Sequence, residues 1–172
     1  MRKTRRVIVG CAIAIVGSGW ISAQTADQGR QPFRGLEPDW VSPIGVSLTV
    51  GDQRYESTAP GKCTHAPVAS IYQVVSELWT AQQSQDGRSV NLSLWRPKNG
   101  SGDMVTLSVN AGKSAKNVST VRGAAISGSG KVTLAPSGKG GVFTIDAKAA
   151  DGTAITGTIK CDAFAPHVAE GG

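Results

Sequence analysis

Val46-Ser47-Leu48-Thr49-Val50-Gly51-Asp52-Gln53-Arg54-Tyr55 is the stretch that decides how this chain folds. Val46, Leu48 and Val50 alternate with Ser47 and Thr49, the period-two pattern of a strand with one face in a core. Gly51-Asp52 then supplies a tight turn. With those two residues as the loop, Leu48 stands opposite Tyr55 and both face inward.

The same grammar extends outward along the chain. Val90, Leu92 and Leu94 alternate, as do Val105, Leu107 and Val109, with Asn99-Gly100 and Ser101-Gly102 marking the connection. Val132 and Leu134 form a shorter piece; Phe143, Ile145 and Ala147 share a face, as do Ile155, Gly157, Ile159 and Cys161. Register parity chooses the last loop. A two-residue Asp151-Gly152 turn would put core residues out of phase, whereas a three-residue loop, Ala150-Asp151-Gly152, sets Ala147 opposite Ile155 and Ile145 opposite Gly157.

Residues 67–85 carry two patterns. Val68, Ile71, Tyr72, Val75, Leu78 and Trp79 match a helical stripe. Asp86-Gly87 as a two-residue turn instead sets Trp79 against Leu94, Ala81 against Leu92 and Gln83 against Val90. The reading that uses both is a short helix or helical turn over 67–75 after Pro67, then a strand over 77–84. The fold class is therefore all-β, an antiparallel β-sandwich over residues 43–165 with that one short helix. Aromatics at 5% and 22 glycines imply a modest core.

The chain opens with a different kind of segment. Arg2, Lys3, Arg5 and Arg6 precede an apolar run, Val7 to Val16, and the stretch ends Trp20-Ile21-Ser22-Ala23. This is the layout of a signal peptide over 1–23, too short and too glycine-interrupted to favour a permanent span. Thr4-Arg5-Arg6 also has the look of a twin-arginine signal, but adjacent arginines are common in basic leaders and the general secretory route is the better match. Ile8-Val9-Gly10-Cys11 has lipoprotein-box residue types, yet Cys11 lies within the apolar run rather than after it. Residues 24–42 read as a flexible polar linker and 166–172 as a disordered tail. The expected location is outside the cytoplasm: periplasm, outer envelope or medium, with a membrane touched only through the leader before its removal.

The leader also changes the charge. Of 18 Lys+Arg and 12 Asp+Glu, four basic residues and no acidic ones fall in the first 23, so the chain from residue 24 carries net +2 instead of +6. A nucleic-acid partner thereby loses its electrostatic support. Of the three cysteines, Cys63 and Cys161 remain, and an even pair in an oxidising compartment reads as one disulfide closing most of the domain.

An opening hairpin, here VSLTVGDQRYES, runs into Cys63; Gly- and Ser-rich short strands follow, and a last strand, GTIKC, ends in Cys161. This layout, over about residues 44–161, resembles the mycobacterial nineteen-kilodalton lipoprotein antigen family. The resemblance implies a non-enzymatic role at the cell envelope. Trp79 and the Trp95-Arg96-Pro97 stretch have no counterpart in the family pattern, and the displaced Cys11 leaves lipid anchoring outside what the resemblance implies.

Chemistry-bearing motifs are sparse. No Gly-x-Ser-x-Gly elbow occurs, and Gly112-Lys113-Ser114 lacks the upstream glycine of a phosphate loop, since position 107 is Leu. His65 and His167 are the two candidate bases, and both read as exposed loop residues. Cys63, His65, Cys161 and His167 would make a Cys2His2 zinc site if the cysteines meet as thiolates, an alternative that oxidation to a disulfide removes. Asp146 and Asp162 near the last hairpin read as solvated strand-face charges. Trp95 with Arg96 is the candidate binding surface, suited to a protein, peptide or carbohydrate partner; the competing reading is that Trp95 covers a second apolar layer. The expectation is thus an exported binding or structural module with no cofactor. The second hypothesis is an extracytoplasmic hydrolase whose carboxylate and histidine site is assembled from loops.

Overall fold

The computed structural model describes residues 41–113 and 115–169, and the expected signal peptide and nearly all of the expected linker lie outside them. Among the described residues are ten strands and no helix. They run β1 (Ser42–Val50), β2 (Gln53–Ile71), β3 (Val74–Gln85), β4 (Arg88–Pro97) and β5 (Met104–Asn110). β6 (Ala115–Ser119), β7 (Ser129–Ser137), β8 (Gly140–Lys148), β9 (Ala154–Cys161) and the two-residue β10 (Ala165–Pro166) complete the set.

The fold is all-β and antiparallel, as the alternation requires. Its strands form one continuous sheet in the order β6-β5-β4-β3-β2-β1-β9-β8-β7, rolled until a bridge between Ser119 and Ser127 brings its two ends together. The facing layers of the expected sandwich are opposite walls of this nearly closed sheet. Val46, Leu48, Val50, Tyr55, Leu92, Leu94, Leu107, Phe143, Ile145 and Ile159 all belong to the single core that fills the interior.

The registers follow from the parity of the apolar residues. Leu48 faces Tyr55, Trp79 faces Leu94, Ala81 faces Leu92, and Gln83 faces Val90. Ala147 faces Ile155 and Ile145 faces Gly157 around the three-residue loop, with Gly152 at φ +85°. Gly157 itself has φ +132°, and a Cβ there would run into the carbonyl oxygen of Ser47. Glycine is what lets β9 approach β1 at this bend.

The short helix expected over 67–75 is absent. Those residues finish β2 and begin β3, pairing Ile71 with Val74, Ser70 with Val75 and Ala69 with Ser76 across a two-residue turn at Tyr72-Gln73. The register shifts between Ala66 and Ala69, so Pro67, which has no N–H to give, sits outside the ladder. The helical spacing of Val68, Ile71 and Val75 is overridden because a β2–β3 hairpin already zipped from Gly61–Gln83 to Ala66–Leu78 continues at little cost, and β-branched residues suit it. Pro166 and His167, expected to open a disordered tail, are held on β2 instead: β10 pairs Ala165 with Thr64 and Pro166 with His65, and the His167 N–H donates to the His65 carbonyl at 3.0 Å.

One buried polar group joins three strands. The Gln83 side-chain amide donates to the carbonyls of Ile44 (2.7 Å) and Ala59 (3.0 Å), and its oxygen accepts from the Tyr55 hydroxyl at 3.0 Å. Burial raises the Tyr55 pKa above its ordinary value, so the phenol stays a donor at neutral pH.

Cys63 and Cys161 form a disulfide with their Cα atoms 6.1 Å apart and 98 residues between them in sequence. The bond consumes both thiols of the alternative zinc set, and it is of the kind that persists in an oxidising environment. β2 and β9 flank β1, and two strand spacings would separate them by about 9–10 Å. The shorter distance means that they converge where β1 begins.

Where the rolled sheet meets itself, the Lys116 Nζ lies 2.6 Å from the Asp151 Oδ2 of the β8–β9 loop. This contact, followed by the Thr153 N–H donating to Asp151 Oδ1 at 3.0 Å, holds the Asp151 carboxyl well below the usual carboxylate range.

Two expectations test this description. Intact-mass analysis with alkylation should find two thiols only after reduction, and Cys63→Ser with Cys161→Ser should lower the melting temperature, by at most about 4–5 kcal/mol of stability; two alkylatable thiols before reduction would contradict it. Because the Asp151 value is depressed in the folded state, its stabilisation is complete above about pH 4 and fades as the pH falls further. Asp151→Asn keeps an acceptor for Thr153 and should flatten the fall in melting temperature below about pH 4. Parallel profiles for variant and parent would show that the Lys116–Asp151 pair adds nothing, the usual result when solvent screens an exposed pair.

Candidate functional site

β2, β3 and β4 carry a layered cluster toward the end of the sheet where β1 begins. Trp79, on the inward parity of β3, is 8% exposed and belongs to the core. His65 from β2 stacks on it, ring centroids 4.5 Å apart and planes 4° from parallel. The Arg96 guanidinium from β4, on the other side of β3, lies 5.0 Å from the Trp79 ring centroid. Arg96 Nη2 also reaches Asp103 Oδ2 at 3.4 Å. An aromatic plane between an imidazole and a guanidinium is stabilised by stacking and by cation–π attraction.

His65 is not a free loop residue. Its Nε2 is enclosed without a hydrogen-bond partner and sits 4.0 Å from Glu77 Oε2, while its carbonyl holds His167. The chain thus brings His65 and His167 together, as the zinc alternative required, but with the sulfurs of Cys63 and Cys161 bonded to each other. Among the described residues no group of three or more His, Cys, Asp or Glu is placed to hold a metal.

Trp95 and Arg96 are adjacent on β4 and therefore leave it on opposite faces. Trp95 is half-buried on the outer face, between Leu78 of β3 and Met104 of β5 by register. Arg96 turns inward to Trp79 and Asp103. The two contribute to separate surfaces: an outer apolar row through Trp95, and the layered cluster through Arg96.

A group of exposed apolar residues lies further along the same hairpin. Val68, Tyr72 and Val75 are 61%, 59% and 54% exposed, three of the six exposed large hydrophobic residues among those described. Tyr72 and Gln73, the two central residues of the turn, have φ of 47° and 65°. Two-residue hairpin turns of this kind favour Asn-Gly because both positions lie in the left-handed region, and a tyrosine there is strained. Gly123 of the β6–β7 connection supports the ring from below; a Cβ on it would come within 3.0 Å of Tyr72 Cγ. Lys98 lies alongside, its N–H donating to the Val75 carbonyl and its Nζ to the Pro67 carbonyl, each at 2.9 Å. Gln73, Val74, Val75, Lys98 and Asn99 line an open depression of about 310 Å³ at the base of the tip.

The sequence conceals this tip, because Tyr72-Gln73 carries no turn signal and Val68, Tyr72 and Val75 also fit a helical stripe. A count of apolar residues that have no cross-strand partner inside the core would have found it. No family model, curated protein or solved structure matches the chain.

The two tryptophans should separate on truncation. Trp79→Ala removes a core ring and should cost about 3–5 kcal/mol. Trp95→Ala, half-buried on the outer face, should cost about 1–2 kcal/mol. Urea unfolding followed by far-ultraviolet circular dichroism reads both, and a Trp95→Ala loss as large as that of Trp79→Ala would place Trp95 in the core instead.

Proposed function

We propose that this protein is an exported, non-catalytic binding module of the cell envelope, which engages its partner through the β2–β3 hairpin tip. The observation that carries the reading is the concentration of Val68, Tyr72 and Val75 around one turn, at Tyr72-Gln73, whose two central residues have positive φ. Backbone strain of this type persists where the surrounding fold enforces it, and it is found at binding and switch sites more than elsewhere. An exposed, rigid aromatic costs little ordering entropy when it is buried against a partner.

Export through the general secretory route, removal of residues 1–23 and residence in the envelope or the medium belong to this proposal. The leader layout and the disulfide support them. The likeness to the nineteen-kilodalton lipoprotein antigen family, carried by the opening hairpin, Cys63 and the final GTIKC strand, points the same way.

The test is retention of the purified, naturally processed protein on a washed envelope fraction of the producing cells. Tyr72→Asn with Val75→Ser should reduce retention about tenfold or more, in line with loss of a small aromatic-centred contact. Asp52→Asn, in the turn at the opposite end of the sheet, should leave it unchanged. Equal retention of parent and tip variant would remove the hairpin from the binding site.

A further inference from the structure

We infer that the surface met by the hairpin tip is an anionic lipid bilayer, with Tyr72 and Val75 entering the headgroup region and Lys98 and Arg122 facing the lipid charge. This rests on the proposed binding role of the tip and names its partner.

Two observations carry it. The first is reach. β1 starts at Ser42, level with Gly61 of β2, whereas β2 continues to Ile71. The hairpin therefore overhangs the start of β1 by ten residues, and it passes the end of β4, where Pro97 pairs with Ser76. The turn thus reaches further than β1 and β4 at this end of the sheet, with Lys98 and Gly123 of the neighbouring connections packed beside it.

The second is chemistry. The tip presents a tyrosine and two valines with cations beside them: Lys98 is hydrogen-bonded to the hairpin, and Arg122 precedes Gly123, on which the Tyr72 ring packs. Tyr rings and short aliphatic chains suit the headgroup–acyl boundary, and lysine or arginine beside them adds attraction to anionic lipid. Of the acids at this end of the sheet, Asp103 pairs with Arg96 at 3.4 Å, Asp162 lies 3.7 Å from Lys160, and Glu77 faces the His65 ring at 4.0 Å. Asp52, Asp86 and Asp151 sit in turns at the opposite end of the sheet.

The test is co-sedimentation of the naturally processed protein with vesicles of equimolar phosphatidylglycerol and phosphatidylcholine, against vesicles of phosphatidylcholine alone. Binding to the anionic vesicles should be about thirtyfold stronger, as two cations near the surface imply, and should weaken with added salt. Tyr72→Asn with Val75→Ser should abolish most of it. Asparagine is at ease in the left-handed region, so the melting temperature should hold or rise, which separates lost binding from lost folding. Lys98→Gln with Arg122→Gln should bring anionic binding down to the neutral-vesicle level. Equal binding to both vesicle types, or binding indifferent to the tip variant, would overturn the lipid assignment. Absent vesicle binding alongside tip-dependent envelope retention would also overturn it and leave the binding role standing with a non-lipid partner. Absence of both would end both readings.

Discussion

An antiparallel ring needs an even number of strands, and this chain has an odd number to close. β1 to β6 are joined by successive hairpins, as are β7 to β9, and β9 lies antiparallel to β1. Following the alternation round the sheet leaves β6 and β7 pointing the same way, so they cannot zip together as another hairpin. The connection between them solves the mismatch. It continues beside β5, with the Thr120 N–H on the Val105 carbonyl, and reverses at Val121–Ala124. It then returns past β6, exchanging two backbone hydrogen bonds between Ser119 and Ser127. That short return acts as the missing strand over one bridge. The seam, the Lys116–Asp151 contact across it and the Gly123 support under Tyr72 all follow from this parity.

Inside the ring, packing and polarity are arranged so that the first three strands cannot slide. A one-residue slip of β3 would carry Trp79, Ala81 and Gln83 to the outer face together. It would also take the Gln83 amide away from the Ile44 and Ala59 carbonyls. Polar satisfaction and apolar alternation therefore specify the same register, which is the agreement between levels that a well-specified fold requires.

Much of this was legible because a period of two is unforgiving. Leu48 opposite Tyr55, Leu94 opposite Trp79 and Ala147 opposite Ile155 all follow from asking which loop length keeps apolar residues in phase. Three features were not legible. β6 is five residues with one buried side chain, Val118, too short to display a period. The β6–β7 return is set by closure of the whole ring, which no local window contains. The hairpin over 67–75 was misread because its apolar residues are exposed, and patterning presumes that apolar residues mark the core. Trp95 and Arg96 were paired on sequence adjacency, although adjacency on a strand places two side chains on opposite faces. The disulfide was legible from compartment and count, but the convergence of β2 and β9 over the start of β1 was not.

That convergence gives the molecule a mechanical direction. β1 is held along one edge by β2 and along the other by β9, and Cys63–Cys161 ties those two neighbours to each other just where β1 emerges. Tension applied through the preceding chain is directed along β1, so its ladder bonds are loaded side by side in shear instead of being opened one after another. The covalent tie keeps the two flanking strands from spreading to release it. A domain built this way resists being drawn out through β1, and reduction of a single bond would convert a stiff mount into a compliant one.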